Sequence, residues 1–297
     1  MKAKKGKDLF VSFGGVFSSR PINEAYIGLQ YNILNKTAIS LLAESYFGKL
    51  HNSVTGGFRI DLPFSVPFYW KNTFTIDGWD YFKSTSTFFE DTKPSFLVIN
   101  DQYFKSELAF PVAYKGKIII DGTVGEIENN YYQTKQFLST DTTDKTMFRN
   151  YSIGSSFERS SLDLKQYPTK GSFFSIGGRY IKGDEKTRPG STSIIKNDFD
   201  TILDWIQFKI KYDNYLNVSD KVSFGVFGEG VYSNQPFFKN YTASLLSAPA
   251  FEPLPESKTL FQEGFRAHSY IAVGIKNIYK PFNNFQFRLE GYVYKPH

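Results

Sequence analysis

Residues 205–215 read WIQFKIKYDNY, and their alternation narrows the possible folds more than any other stretch. Ile206, Phe208, Ile210 and Tyr212 alternate with Gln207, Lys209, Lys211 and Asp213. A helix would scatter these two sets around its circumference. A strand sends successive side chains to opposite sides, so it separates them cleanly. One face is then apolar and the other carries three charges. In a soluble sandwich the apolar face meets a second sheet. In a transmembrane barrel it meets lipid, and the polar face lines a lumen.

The same period of two recurs along the chain. Ala25, Ile27, Leu29, Tyr31 and Ile33 alternate with Tyr26, Gly28, Gln30 and Asn32. Phe285, Phe287, Leu289 and Val293 alternate with Gln286, Arg288, Glu290 and Tyr292. No long window shows a period of 3.6. Period and turn signals predict about thirteen strands, near 8–18, 24–34, 37–47, 52–62, 67–82, 95–111, 115–127, 146–160, 171–183, 200–216, 221–233, 266–280 and 284–295. Short turns fall at Asn35-Lys36, 63–66, Ala113-Tyr114, 166–170, 217–220 and 281–283. The remaining connections lie near 19–23, 48–51, 83–94, 128–145, 184–199 and 234–265. Short and long connections alternate in the latter part of the chain. Outer-membrane barrels have this asymmetry, and their strands need about 9–11 residues to cross.

Composition agrees with a barrel. Phe, Tyr and Trp make up 18% of the 297 residues, and there is no cysteine, which excludes disulfides and thiolate chemistry. No run of about 18 apolar residues exists to form a membrane helix. The net charge of +6 is spread among acids rather than clustered, so no nucleic-acid partner is expected. The basic start, MKAKKGK, lacks the apolar stretch of a signal peptide and leads straight into a strand. Export therefore calls for a preceding segment. Barrel strands usually come in even numbers, and an open sheet would leave unpaired backbone groups in lipid. The chain is thus expected to be a single barrel domain over 1–297, a fragment without its N-terminal domain and about three C-terminal strands of a probable sixteen.

Five stretches carry a resemblance: GGVFSSRPINEAYIGLQYNIL, YFGKLHNSVTGGFRIDLP, DLKQYPTKGSFFSIGGRYIKGDEKTRPGS, SAPAFEPLPESKTLFQEGFRAHSYIAVG and FQFRLEGYVYKP. In order and spacing they resemble the C-terminal barrel of the BamA-like outer-membrane superfamily, in the Bacteroidetes branch fused to a patatin-like phospholipase. The resemblance implies an all-β antiparallel barrel in the bacterial outer membrane, in contact with lipid and lipopolysaccharide. It implies protein translocation or assembly, or surface display of an attached hydrolase, with a translocated polypeptide or that hydrolase as partner. It also implies a sixth loop folded into the lumen, here 234–265, whose Arg-Gly-aromatic tip finds its nearest match at Gly264-Phe265-Arg266-Ala267. There the Gly does not follow the Arg. Arg266 is expected either to pair with Glu290 or Glu229 or, at a loop base, to contact solvent or lipid headgroups. A porin-like solute channel and a soluble all-β binding module are the rival readings.

Arg179, Lys209, Lys211, Glu229, Arg288 and Glu290 are expected to face the lumen. Trp70 and Trp79 are expected to be girdle residues at the two ends of the fifth strand. Nine residues at about 3.3 Å each, tilted, come close to the roughly 25 Å apolar band. Catalytic signals are missing. There is no Gly-x-Ser-x-Gly elbow, and Gly154-Ser155-Ser156-Phe157 breaks that pattern inside a strand. The Asp77-Gly78 and Asp121-Gly122 pairs have no nucleophile to serve. His51, His268 and His297 are too far apart in sequence for a His-x-x-x-His metal pair. No enzymatic activity, cofactor or metal is expected of these residues.

Overall fold

A computed structural model describes residues 8–16, 23–81, 97–112, 114–134, 137–138, 140–282 and 285–297. The basic segment 1–7 and most of two expected connections, 17–22 and 82–96, lie outside them. Thirteen antiparallel strands form one sheet in sequence order. They are β1 (Leu9–Val16), β2 (Glu24–Leu34), β3 (Ala38–Gly48), β4 (His51–Leu62), β5 (Phe68–Asp80), β6 (Leu97–Pro111) and β7 (Gly116–Tyr131). Then come β8 (Asp144–Ser160), β9 (Gly171–Arg188), β10 (Phe199–Asn217), β11 (Val222–Ser233), β12 (Tyr270–Phe282) and β13 (Phe285–Pro296). Every strand pairs only with its chain neighbours, so β1 and β13 are edges among the described residues.

The sheet coils. Leu50 of the β3–β4 turn, Leu97 of β6, Tyr131 of β7, Phe148 of β8 and Trp205 of β10 share one buried cluster with Phe238 and Leu246 of the β11–β12 connection. Strands so far apart in order meet a common segment only if the sheet wraps around it. The wrap gives a convex and a concave face. Ile206, Phe208, Ile210 and Tyr212 stand exposed on the convex face of β10, as do Ile271, Val273 and Ile275 on β12. Gln207, Lys209, Lys211 and Asp213 take the other side. The alternation in WIQFKIKYDNY thus separates a large bare apolar surface from a charged interior.

Strands β7–β10 run to 16, 17, 18 and 19 residues, longer than expected. The sequence reading placed loops at 128–145 and 184–199, yet β7 continues to Tyr131, β8 begins at Asp144 and β9 continues to Arg188. In KGDEKTR, Gly183, Glu185 and Thr187 are buried while Asp184 and Lys186 are less so. The period of two persists, but with polar and small residues on the inner side, so an apolar count misses it. These extensions rise at the long-connection end and enclose the 234–269 segment.

At the other end a tight closure joins β8 to β9. Ser161 N–H donates to Ser172 O (2.8 Å), and Ser172 N–H donates to Ser161 Oγ (2.9 Å). Gly171 enters β9 at φ +94°, and a Cβ there would lie 2.2 Å from Ser161 O. Both the backbone conformation and the contact require glycine. Gly171→Ala is expected to destabilise the protein by about 1–3 kcal/mol. Urea unfolding of the refolded protein checks this, and a midpoint equal to wild type would contradict it.

Candidate functional site

At the long-connection end the concave face is covered by the chain itself. Residues 234–269 leave β11, turn inward and return to β12. Helix α1 (Tyr241–Ser247) forms the first part, capped by Asn240, whose side chain accepts from Thr242 N–H. Two 3-10 turns follow at Pro255–Thr259 and Glu263–Phe265. Phe238, Ala243 and Leu246 pack against the wall cluster. Phe251 packs into a second cluster with Phe227, Val231 and Tyr270, with Tyr292 and Tyr294 beside it. Its ring stacks on Tyr294 at 5.4 Å between centroids.

Buried carboxylates of the strand extensions fasten the start of this segment. Asp144, fully buried, accepts from Asn240 Nδ2 (3.2 Å), Gly190 N–H (2.6 Å) and the Gln133 amide. Glu185 accepts from Lys239 N–H (3.1 Å) and Thr187 Oγ1 (3.0 Å). Behind it, hydroxyls link Tyr131 to Thr146 (2.9 Å) and Thr146 to Thr187 (3.0 Å). A buried carboxylate is tolerated when several donors satisfy it, and here those donors include the docked segment. Sequence reading missed Asp144 and Glu185 because both fell in expected loops.

Arg266 fastens the return. The expected pairing with Glu290 or Glu229 is not what the structure has. The Arg266 Nη1 donates to Leu246 O (2.9 Å) and Ala248 O (3.4 Å), and the guanidinium lies over Phe261, 5.1 Å from the ring centroid. Burial draws its pKa below the usual arginine value. Arg266 ties the inserted segment to itself, with Ala250 bridging Arg266 in a short antiparallel contact. Glu229 and Glu290 are already engaged on the wall, which leaves Arg266 to the unpaired carbonyls beside it.

The other expected interior residues lie on the concave face in separate clusters. Glu229 takes Lys209 (3.2 Å), Lys211 (3.7 Å) and the Tyr270 hydroxyl (2.6 Å). Arg288 pairs with Glu290 (2.8 Å), which also accepts from the Tyr292 hydroxyl. Arg179 bonds Asp121 on β7 and Ser152 Oγ on β8 (2.8 Å). Asp121 of the Asp-Gly pair is therefore half of a wall ion pair. Another pair went unseen in sequence. Lys276 Nζ, 4% exposed, donates to both Asp213 oxygens (2.9 and 2.8 Å) and to Tyr215 Oη (2.8 Å). Each sits at an inward position of its strand, but only the three-dimensional register brings β10 and β12 together across β11.

Trp70 stands on the convex face, edge-on to Phe58, with Nε1 donating to Ser106 Oγ (2.9 Å). Trp79 corrects the girdle expectation. It stacks on His51 at 4.1 Å, donates to Asp77 (3.0 Å) and packs against the buried cluster. Nine is an odd spacing, so two residues nine apart in a strand face opposite sides. His51, passed over in sequence as a poor metal ligand, holds β2, β4 and β5 together. Its Nδ1 lies 2.7 Å from Glu24 and its Nε2 2.7 Å from Asp77.

A second insertion comes from the short-turn end. Asp163 Oδ1 accepts from Leu164, Thr169 and Lys170 N–H groups (3.0, 2.9 and 3.2 Å), shaping the β8–β9 turn. That turn carries Tyr167 inward at φ +51°. Its hydroxyl donates to Glu256 of the inserted segment, and Arg288 Nη1 donates to Pro168 O (2.8 Å). Burial and then the Glu256 carboxylate push the Tyr167 phenol up to about 12, so it stays a donor at neutral pH. The two insertions meet inside the sheet.

No family model matches this chain, and no curated protein matches it. Among solved structures, BamA from Haemophilus ducreyi lacking POTRA domains 1–3 matches 98% of this chain with a TM-score of 0.63 at 12% identity. The fold is that of a BamA barrel. This chain spans 57% of the length of that BamA chain. The wall of this BamA-like barrel carries ion pairs such as Lys276–Asp213 and Arg288–Glu290, and its own β11–β12 segment occupies the long-connection end. Lys276→Met would strand Asp213 and is expected to cost about 3–5 kcal/mol, while Lys276→Met/Asp213→Leu recovers much of that loss. Unfolding of the two variants checks the pair, and equal losses would contradict the assignment.

Proposed function

We propose that this chain is a transmembrane β-barrel of the bacterial outer membrane. Its interior is closed at rest by residues 234–269 and by the β8–β9 turn. It serves polypeptide assembly or translocation, or display of an attached domain, rather than catalysis. The observation that carries this reading is the convex face. Leu29 and Ile33 on β2, Phe74 and Ile76 on β5, Ile118 and Val124 on β7, and Phe287 and Leu289 on β13 are all exposed. Soluble monomers rarely expose contiguous apolar patches beyond a few hundred Å². A surface of this extent around a coiled sheet fits hydrocarbon. A soluble two-sheet module would cover it with a second sheet. A porin-like solute channel would leave the interior open, where Phe238, Leu246 and Phe251 stand instead. The finer form of the reading, an attached patatin-like hydrolase in a Bacteroidetes protein, rests on the sequence stretches quoted above.

The test is refolding into lipid vesicles followed by mild-detergent gel migration with and without boiling. A shift on boiling is expected. Ile210→Arg, on the convex face, is expected to lose about 2–4 kcal/mol in lipid, and Gln207→Arg, on the concave face, far less. A monodisperse, lipid-free sample with no shift, and equal tolerance of both substitutions, would overturn the reading.

A further inference from the structure

The interior holds a cavity away from the inserted segment, against the concave side of β2–β9 toward the short-turn end. Its volume is about 670 Å³, within the range of small-molecule sites. Its lining has five cationic and four anionic side chains. Each acid has a cation over it. Asp121 holds Arg179, Asp61 holds Arg59, Glu107 holds Lys105 (3.2 Å) and Glu158 holds Lys117 (3.2 Å).

The pairs are not symmetric toward the cavity. Asp121 is 6% exposed against 33% for Arg179, and Glu107 is 15% exposed against 33% for Lys105. The other two pairs lean the same way by less. Asp121 and Glu107 thus sit in the wall with Arg179 and Lys105 projecting over them, while Asp61 and Glu158 are nearly as exposed as Arg59 and Lys117. Glu107 is further occupied by the Tyr69 hydroxyl (2.6 Å). The fifth cation, Lys71, sits in register between Arg59 and Glu107 on the neighbouring strands. Among the described residues it has no hydrogen-bonded or ion-paired partner. A concave wall with low-dielectric backing focuses such an excess of projecting positive charge. Guanidinium and ammonium groups gathered on one surface match the oxygens of a multivalent anion.

We infer that this cavity binds a compact, multivalent oxyanion, of the phosphate or polycarboxylate class, with Lys71 as the free cation that meets it. The inference goes beyond the membrane reading, because the wall residues are neighbours whatever covers the convex face. A phosphate group could come from a free solute or from a lipid headgroup, and the cavity's interior position favours the solute.

Pyrophosphate is titrated calorimetrically into the detergent-refolded full chain at constant ionic strength. Saturable binding is expected, weakened about fivefold or more by Lys71→Glu and in the same direction by Lys71→Gln. Lys280→Glu, at the β12–β13 end, is expected to leave binding unchanged. Glycerophosphoglycerol, a headgroup analogue, is expected to bind more weakly than pyrophosphate. No saturable binding, a smaller loss in Lys71→Glu, an equal loss in Lys280→Glu, or tighter binding of the headgroup analogue would overturn the inference. Boiling-dependent migration of the same samples reports separately whether the barrel has formed.

Discussion

The strand period of two is the constraint on which this structure depends. A side chain in β10 must stand on one face or the other, and the sheet is coiled, so the choice is between outside and inside. Each strand therefore has to satisfy two environments at once. On the convex side, Phe208 and Ile210 present hydrocarbon with no polar partner. On the concave side, Lys209 and Lys211, their immediate neighbours in sequence, reach Glu229. A slip of one residue would put both lysines outside and both apolar groups among charges.

The interior follows from that separation. Charges withdrawn from bulk water are costly unless paired. The wall accordingly pairs Lys276 with Asp213 and Arg288 with Glu290. At the long-connection end the chain itself fills the interior. The 234–269 segment brings its own apolar side chains, Phe238, Leu246 and Phe251, to the aromatic rings of the wall. Its backbone is held by Asp144 and Glu185 at one side and by Arg266 at the other. Removing the segment would leave two buried carboxylates short of donors, so the plug and the wall stabilise each other.

Much of the fold was legible in sequence. Thirteen strands, their order and the alternation of turns all follow from local period and turn residues, because those signals are local. The strand extensions were not, since KGDEKTR keeps its period with buried Gly183, Glu185 and Thr187 in place of apolar residues. The interior partners were legible only by face. Lys209, Glu229 and Arg288 could be assigned inward, but Lys276 meeting Asp213 across β11 needs the register of three strands. Trp79 shows the cost of neglecting parity, for length alone placed it with Trp70 while the odd spacing turns it inward. The Arg266 expectation failed for another reason. A resemblance supplied a partner on the wall, whereas Arg266 meets the carbonyls of its own segment first.

With the convex face against lipid and the concave face away from it, as proposed, tryptophan quenching by lipids brominated along their acyl chains separates the two. Trp70 stands outside, and Trp79 and Trp205 stand inside. Three variants, each keeping one tryptophan with the other two changed to Phe, are refolded into such vesicles. Strong quenching of Trp70 with little for Trp79 and Trp205 is the predicted result. Equal quenching of all three, or none of Trp70, would contradict the account.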